Sequence, residues 1–242
     1  MRTPRVYVAG AYVPGDTLAL PAEQTHHVVR VLRRGPGDPL EVFNGVGQSF
    51  NGRLAAMTRT SAAVEVLAPA QDEPAPLAPI QLGLSVLKSH TLDYVLQKAV
   101  ELGAAGIHLL ESGRTEARKA DATRAPRRLE HWQAILIGAC EQCGRNWLPT
   151  LHPPVPLAGW LGRQTGQRWL LDPAGQSIHT TALTPSQPLT LAIGPEGGWT
   201  VEERMLAEQA GFVSVSLGPR ILRADTAPVV ALTLAQYLNG AL

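Results

Sequence analysis

The stretch Leu191–Thr226, LAIGPEGGWTVEERMLAEQAGFVSVSLGPRILRADT, decides how the rest of the chain is read. It holds two turns of unusual composition, each between an apolar run and a helical one. The first is Ile193-Gly194-Pro195-Glu196-Gly197-Gly198. It ends the apolar run Leu189–Ile193, predicted as a strand, and leads to Thr200, with Glu203 three residues on. That pair is a capping box, in which hydroxyl and carboxylate each satisfy the other residue's backbone N–H and open a helix. The spacing predicts the helix over Val201–Ala210, with Gly211 ending it. The second turn runs from Leu217-Gly218-Pro219 through Arg220-Ile221-Leu222-Arg223 to Ala224-Asp225-Thr226, after a predicted strand over Phe212–Leu217. Asp225 or Thr226 can cap a helix over Ala227–Leu238, and Pro228 is tolerated in its first turn. Both turns therefore sit where a strand's C-terminal end meets a helix N-terminus, the edge at which open α/β sheets take ligands. Two apolar side chains between two Arg have two readings. They wrap an apolar-plus-polar ligand, or they plug the core while the Arg make salt bridges.

Upstream, the second half of the chain alternates. Ile80–Leu87, Ile107–Leu110 and Arg168–Leu171 read as strands; Thr91–Leu102 and Pro126–Cys143 read as amphipathic helices. Strands alternating with helices argue for a parallel sheet with helices on both faces. Residues 1–70 differ. Arg5–Val8, Thr17–Leu20, Leu40–Phe43, Gly47–Met57 and Ser61–Leu67 read as short strands. One helix over Pro21–Arg34 places His27, Val28, Val31 and Leu32 on a face. Short strands with one helix suggest a small barrel-like domain. Ala68–Pro79, APAQDEPAPLAP, is Pro-rich and polar, which places a linker at 71–79 between domains over 1–70 and 80–242.

Composition excludes several classes. With 45% hydrophobic and 17% charged residues the chain is an ordinary globular protein, and a net charge of +1 gives no overall basic field. The N-terminus lacks an apolar signal region and no stretch approaches the ~20 apolar residues of a membrane span, so a cytoplasmic protein with no membrane partner is expected. Only Lys88, Lys98 and Lys119 are Lys; the other basic residues are Arg, which offers planar bidentate contacts to phosphate. Residues 1–70 carry seven Arg against five Asp and Glu, and Arg30, Arg33 and Arg34 beside His26 and His27 are candidates for phosphate contact. Cys140-Glu-Gln-Cys143 lies late in a helix, not at the N-terminus that activates a thiol, and has no second pair for a metal. The dinucleotide, P-loop, serine-hydrolase and zincin fingerprints are missing.

Taken together, Ile193–Gly198 and Leu217–Ala227 resemble the ribosomal RNA small subunit methyltransferase E family of the SPOUT methyltransferases. Gln97-Lys-Ala-Val-Glu-Leu-Gly103, Arg114-Thr-Glu-Ala-Arg118, Glu141-Gln-Cys-Gly-Arg-Asn146, His26–Arg33, Gly37-Asp38 and Asn44-Gly45 resemble further segments of it in order. Asp225 departs from the family's usual Glu. The resemblance implies a PUA-like N-terminal barrel and a C-terminal α/β domain closed in a deep trefoil knot. It implies a homodimer, and loops that bind S-adenosylmethionine. It implies methylation of N3 of a uridine in 16S rRNA within the assembled 30S subunit.

On that basis the cofactor site is expected to comprise Leu171, Ile193, Gly194, Pro195, Glu196, Gly197, Gly198, Leu217, Gly218, Ile221 and Leu222. Arg223 or Arg220 is expected to stabilise the uracil anion or hold a phosphate. Arg114, Glu141, Arg145 and Asn146 are target-side candidates, with Glu141 as base unless it is occupied as a helix cap or ion pair. No metal is expected. A non-catalytic RNA-binding assembly factor and an unrelated nucleotide-dependent enzyme are the competing classes.

Overall fold

The structure, a computed structural model, describes residues 3–115, 125–181 and 183–241. The chain forms two compact units: Met1–Ala75 with Ile137–Leu148, and Pro76–Leu136 with Pro149–Leu242.

The first unit carries strands β1 (Arg5–Tyr7), β2 (Thr17–Ala19), β3 (Pro39–Phe43), β4 (Ser49–Met57) and β5 (Ala62–Pro69) in one sheet of order β1-β3-β4-β5-β2. β1 pairs parallel with β3 and the other pairs are antiparallel. Alternating side chains of β4 and β5 bury Leu54, Val64 and Val66 against Val6, Val28 and Val42. The helix predicted over Pro21–Arg34 is shorter and changes pitch: α1 spans Ala22–His26 and a π-helical turn spans His27–Val31. The wider turn moves the apolar face. Gln24, Thr25 and Val28 point inward, and Val31, expected beside Val28, is 58% exposed. Arg33 ends the segment at φ 53°.

Residues 137–148, assigned to the second domain from sequence, cluster with this unit for a specific reason. Arg5 donates to Glu41 (2.8 Å) and to Asn146 Oδ1 (2.6 Å). Asn146 donates its backbone N–H to the Glu73 carboxylate and its amide to Gln71 O (2.8 Å), while Trp147 Nε1 donates to Glu73 O (2.8 Å). Gln71 and Glu73 are thus fixed chain rather than slack linker.

The second unit is built on β6 (Ile80–Ser85), α2 (Ser89–Glu101), β7 (Ala104–Glu111), α3 (Ala125–Cys143, whose end joins the first unit), β8 (Thr150–Pro156), α4 (Leu157–Leu161), β9 (Gln167–Ser177), β10 (Leu189–Ile193), α5 (Val201–Gln209), β11 (Val213–Ser216) and α6 (Thr226–Leu238). Its six strands are all parallel, in the order β11-β9-β10-β6-β7-β8. β10 is buried at every residue, as an inner strand of a parallel sheet must be. The helices pack in two groups, α2 with α6 and α4 with α5. β8 carries Pro153 and Pro154, which an edge strand tolerates because the missing N–H groups need no partner on the open side.

β9 is far longer than the four residues expected, and it is interrupted. Leu170 pairs with Ser214, but the next residue of β11, Val215, pairs with Gln176. Residues 171–175 are therefore thrown out of the ladder and returned to it. Gly175 closes the excursion: a Cβ there would lie 2.5 Å from Ser214 C and 2.6 Å from Val215 N.

On β7, His108 stacks on His152 of β8 with ring centroids 4.0 Å apart, and its Nε2 lies 3.2 Å from Gln81 Oε1. Burial, with His152 as a lesser cause, pushes the His108 pKa down to about 4. The unfolded chain, titrating near 6.5 at this residue, binds more protons between those values, so the contribution of a neutral His108 to stability is present in full above about pH 6.5 and is lost as pH drops toward 4. Urea midpoints measured from pH 7 to 4 should therefore slope less steeply in His108→Gln than in the natural sequence; identical slopes would contradict this origin.

Candidate functional site

The two turns and the β9 excursion enclose one cavity of about 490 Å³ in the second unit. One wall is the excursion, Leu171, Asp172, Pro173 and Ala174. The second is the loop after β10, with Ile193, Gly194, Pro195, Glu196 and Gly198 and the ring of Trp199. The third is the loop after β11, with Leu217, Gly218, Arg220, Ile221, Leu222 and Arg223. Gly197 does not line it, but its carbonyl accepts from Arg114 Nη1 at 2.8 Å, and Arg114 does line it. Every other residue expected at the cofactor site is on these walls.

Local chemistry fixes each wall. Asp172 Oδ1 accepts from Ala174 N (2.8 Å), closing the excursion on itself, and Asp172 Oδ2 faces Arg204 Nη1 at 3.3 Å. Trp199 Nε1 donates to Leu171 O (3.0 Å), while its ring fills the place of a Cβ on Gly194, 3.1 Å away. One buried indole thus ties the first wall to the second. The capping box is present in full: Thr200 Oγ1 accepts from Glu203 N (3.2 Å) and Glu203 Oε2 accepts from Thr200 N (2.8 Å). In the third wall Gly218 has φ 130°, a backbone state that side chains rarely allow. Asp172, Trp199 and Arg204 escaped sequence reading. Asp172-Pro173-Ala174-Gly175 is turn chemistry after an apolar run and was legible as such.

The core-plug reading of the second turn fails, since Ile221 is 84% exposed. Arg220 and Arg223 are exposed at the cavity, with no ion-pair partner among the described residues. Asp225 corrects another expectation. It occupies the N-cap of α6 but has helical backbone angles, φ −85° and ψ −32°, and makes no capping bond. A capping side chain needs an extended N-cap residue to reach the N–H groups above it; Asp225 instead accepts from the Thr226 hydroxyl (2.8 Å).

The remaining candidates separate. Glu141 does not line the cavity. It belongs to the first unit, where it accepts from Tyr7 N (3.1 Å) and Gln24 Nε2 (3.4 Å). Burial raises its pKa, and these two hydrogen bonds oppose the rise. Arg145 and Asn146 are buried, at 9% and 3% exposure, and Asn146 is committed to Arg5 and Gln71. The bonds of Asn146, with the Arg145 carbonyl accepting from Arg5 Nη2 (3.3 Å), tie this segment to β1 and to Gln71. Arg30 and Arg33 are exposed and Arg34 is half-buried. Arg118, in a segment quoted for the resemblance, lies outside the described residues. Burial pushes the Cys140 thiol up to about 12, so it stays protonated at neutral pH.

The site is thus a three-walled cavity at the strand ends of a parallel α/β unit, in a chain that also carries a small β unit. The family model described as RNA methyltransferase domain matches residues 73–236, and the one described as RNA methyltransferase PUA domain matches residues 20–67. The ribosomal RNA small subunit methyltransferase E of Synechocystis is 34% identical over 236 residues, covering 94% of this chain and 75% of the relative. That of Buchnera aphidicola from Schizaphis graminum is 30% identical, covering 99% and 98%. Among solved structures, a Legionella pneumophila methyltransferase with SAM bound superposes with TM-score 0.93 at 34% identity over 98% of each chain. The Neisseria gonorrhoeae ribosomal RNA small subunit methyltransferase E bound to S-adenosyl methionine gives 0.89 at 33%, also over 98% of each. The chain belongs to the ribosomal RNA small subunit methyltransferase E family.

Proposed function

We propose that this protein transfers a methyl group from S-adenosylmethionine to N3 of a uridine in 16S rRNA, acting on the assembled 30S subunit. The single observation that carries the reading is the meeting of the β9, β10 and β11 loops around one cavity, with Arg114, Arg220 and Arg223 on its walls.

The donor set fits the cofactor. A cavity of about 490 Å³ suits a nucleoside-sized ligand. Leu171, Ile193, Leu217, Ile221 and Leu222 offer apolar surface to its base, and the glycines of the loop after β10 bring backbone N–H groups close to its polar groups. Bound there, S-adenosylmethionine supplies a methyl group activated by a sulfonium. The walls hold the ligand in one orientation and so lower the entropic part of the barrier. Uracil N3 must give up its proton, to solvent water, before it can take the methyl group. A guanidinium from Arg223 or Arg220, offered to the uracil carbonyls, lowers the cost of the resulting anion; the other holds a phosphate.

In the same reading residues 1–70 form the RNA-binding domain and 80–242 the methyltransferase domain, with 71–79 between them, except that 137–148 cluster with the first unit. Arg30, Arg33 and Arg34 contact rRNA phosphates. The loops of the second domain close a deep trefoil knot, and the protein acts as a homodimer in the cytoplasm. No described helix is long and apolar enough to cross a membrane. A single species of 25.8 kDa in sedimentation equilibrium would remove the second subunit from the reading.

The test is direct. Purified protein, S-adenosylmethionine and small subunits lacking the modification should yield N3-methyluridine in nucleoside mass spectrometry. No product, with the cofactor bound in calorimetry, would return the chain to a binding role.

A further inference from the structure

We infer that Glu203 is a positioning residue for the target side of the site: through the turn 112–115 it holds Arg114 at the cavity wall. The inference rests on the methyltransferase reading above. A capping box needs only one carboxylate oxygen, and Oε2 of Glu203 fills that role on Thr200 N. The other oxygen, Oε1, accepts from Gly113 N at 2.7 Å, on a turn that follows β7. One side chain therefore fixes both the start of α5 and the residue before Arg114.

The turn is braced on its other side as well. Ser112 N donates to Thr115 Oγ1 (3.2 Å), Thr115 N donates to Ser112 O (3.1 Å), and Ser112 Oγ donates to Ser85 Oγ (3.1 Å) at the end of β6. Arg114 is thus carried between two anchors. Its Nη1 donates to Gly197 O (2.8 Å), and its stem lies where a side chain on Gly197 would be: a Cβ there would meet Arg114 Cβ at 3.2 Å. A guanidinium has five N–H donors. With one spent on Gly197, the group stays ordered at the cavity that Arg114 lines and keeps donors for an incoming phosphate or base carbonyl. Glu203 does not line the cavity, so it acts through Arg114.

Glu203→Gln separates the two duties. Glutamine closes a capping box as well as glutamate, but its amide NH₂ then opposes the Gly113 N–H, donor against donor. Glu203→Gln is expected to lower the thermal midpoint by no more than about 4 °C, the cost of one exposed hydrogen bond, and to leave the affinity for S-adenosylhomocysteine within about twofold. It should raise KM for small subunits about tenfold, the loss expected when one charge-assisted contact is misplaced. Amide exchange at residues 112–115 should accelerate. In an Arg114→Ala background the same change should add less than about twofold, because both act through one group. Effects that multiply, or unchanged exchange at 112–115, overturn the positioning role. Absence of product from the unsubstituted protein sinks the methyltransferase reading; product with independent Glu203 and Arg114 effects sinks the positioning role alone.

Discussion

Arg223→Ala is expected to lower turnover about 10²–10³-fold, the loss typical of removing one group that stabilises developing charge, while leaving affinity for S-adenosylhomocysteine within about threefold. The reason lies in what the substitution removes. The Arg223 carbonyl accepts from Thr226 N (3.0 Å) and Ala227 N (2.9 Å), so the backbone of residue 223 starts α6 whatever its side chain. The guanidinium itself is exposed at the cavity, with no ion-pair partner among the described residues. Deleting it costs the fold little and the anion its counter-charge. Single-turnover methylation beside calorimetry reads the two effects separately. Equal losses in both would assign Arg223 to the cofactor pocket and leave the anion to Arg220, whose alanine variant would then show the turnover defect.

Gly175→Ala is expected to destabilise the protein by about 2 kcal/mol and to weaken cofactor affinity about tenfold or more, since each 1.4 kcal/mol of distortion felt at the site is a factor of ten. The added Cβ would stand 2.5 Å from Ser214 C and 2.6 Å from its O. Those atoms are backbone of β11, so no rotamer change relieves the clash; the two strands must part. They part where β9 returns to the ladder and where β11 leads to Leu217, so two cavity walls move together. Gly138→Ala is the matched control, because a Cβ there meets nothing within 4 Å. Urea denaturation and calorimetry on both variants check the claim. A Gly175 variant that loses stability but binds the cofactor normally would show that the excursion is scaffold only.

Much of this was legible in the sequence, and the reasons differ by element. β10 read correctly to the residue because an inner parallel strand is apolar throughout. The start of α5 was legible because a capping box is chemistry local to four residues. β8 and α4 were not seen: Pro153 and Pro154 argue against a strand unless the edge position is known, and five residues are too few to show helical periodicity. The π-helical turn at His27–Val31 leaves no mark in a pattern read at 3.6 residues per turn. Within the site, the second and third walls announced themselves through glycine, proline and arginine in odd company. The first wall surfaced only as Leu171. Its shape depends on Asp172 meeting Arg204 and on Leu171 meeting the Trp199 indole, pairings between residues far apart in the chain that no local pattern encodes. The partners of Glu141 and Asn146 were hidden for the same reason, since Tyr7, Gln24, Arg5 and Gln71 lie far from them in the sequence.

The sheet order also bears on how the protein is made. β9 is flanked by β10 and β11, and both follow it in the chain. A nascent chain halted before Val213 therefore carries β9 with one edge unpaired, a row of open N–H and C=O groups ready for any passing strand. The cavity does not exist at that stage either, because its third wall is still to be synthesised. Ligand binding can thus stabilise only nearly finished chains, and the interval between β9 and β11 is when the newborn protein most needs a chaperone's cover.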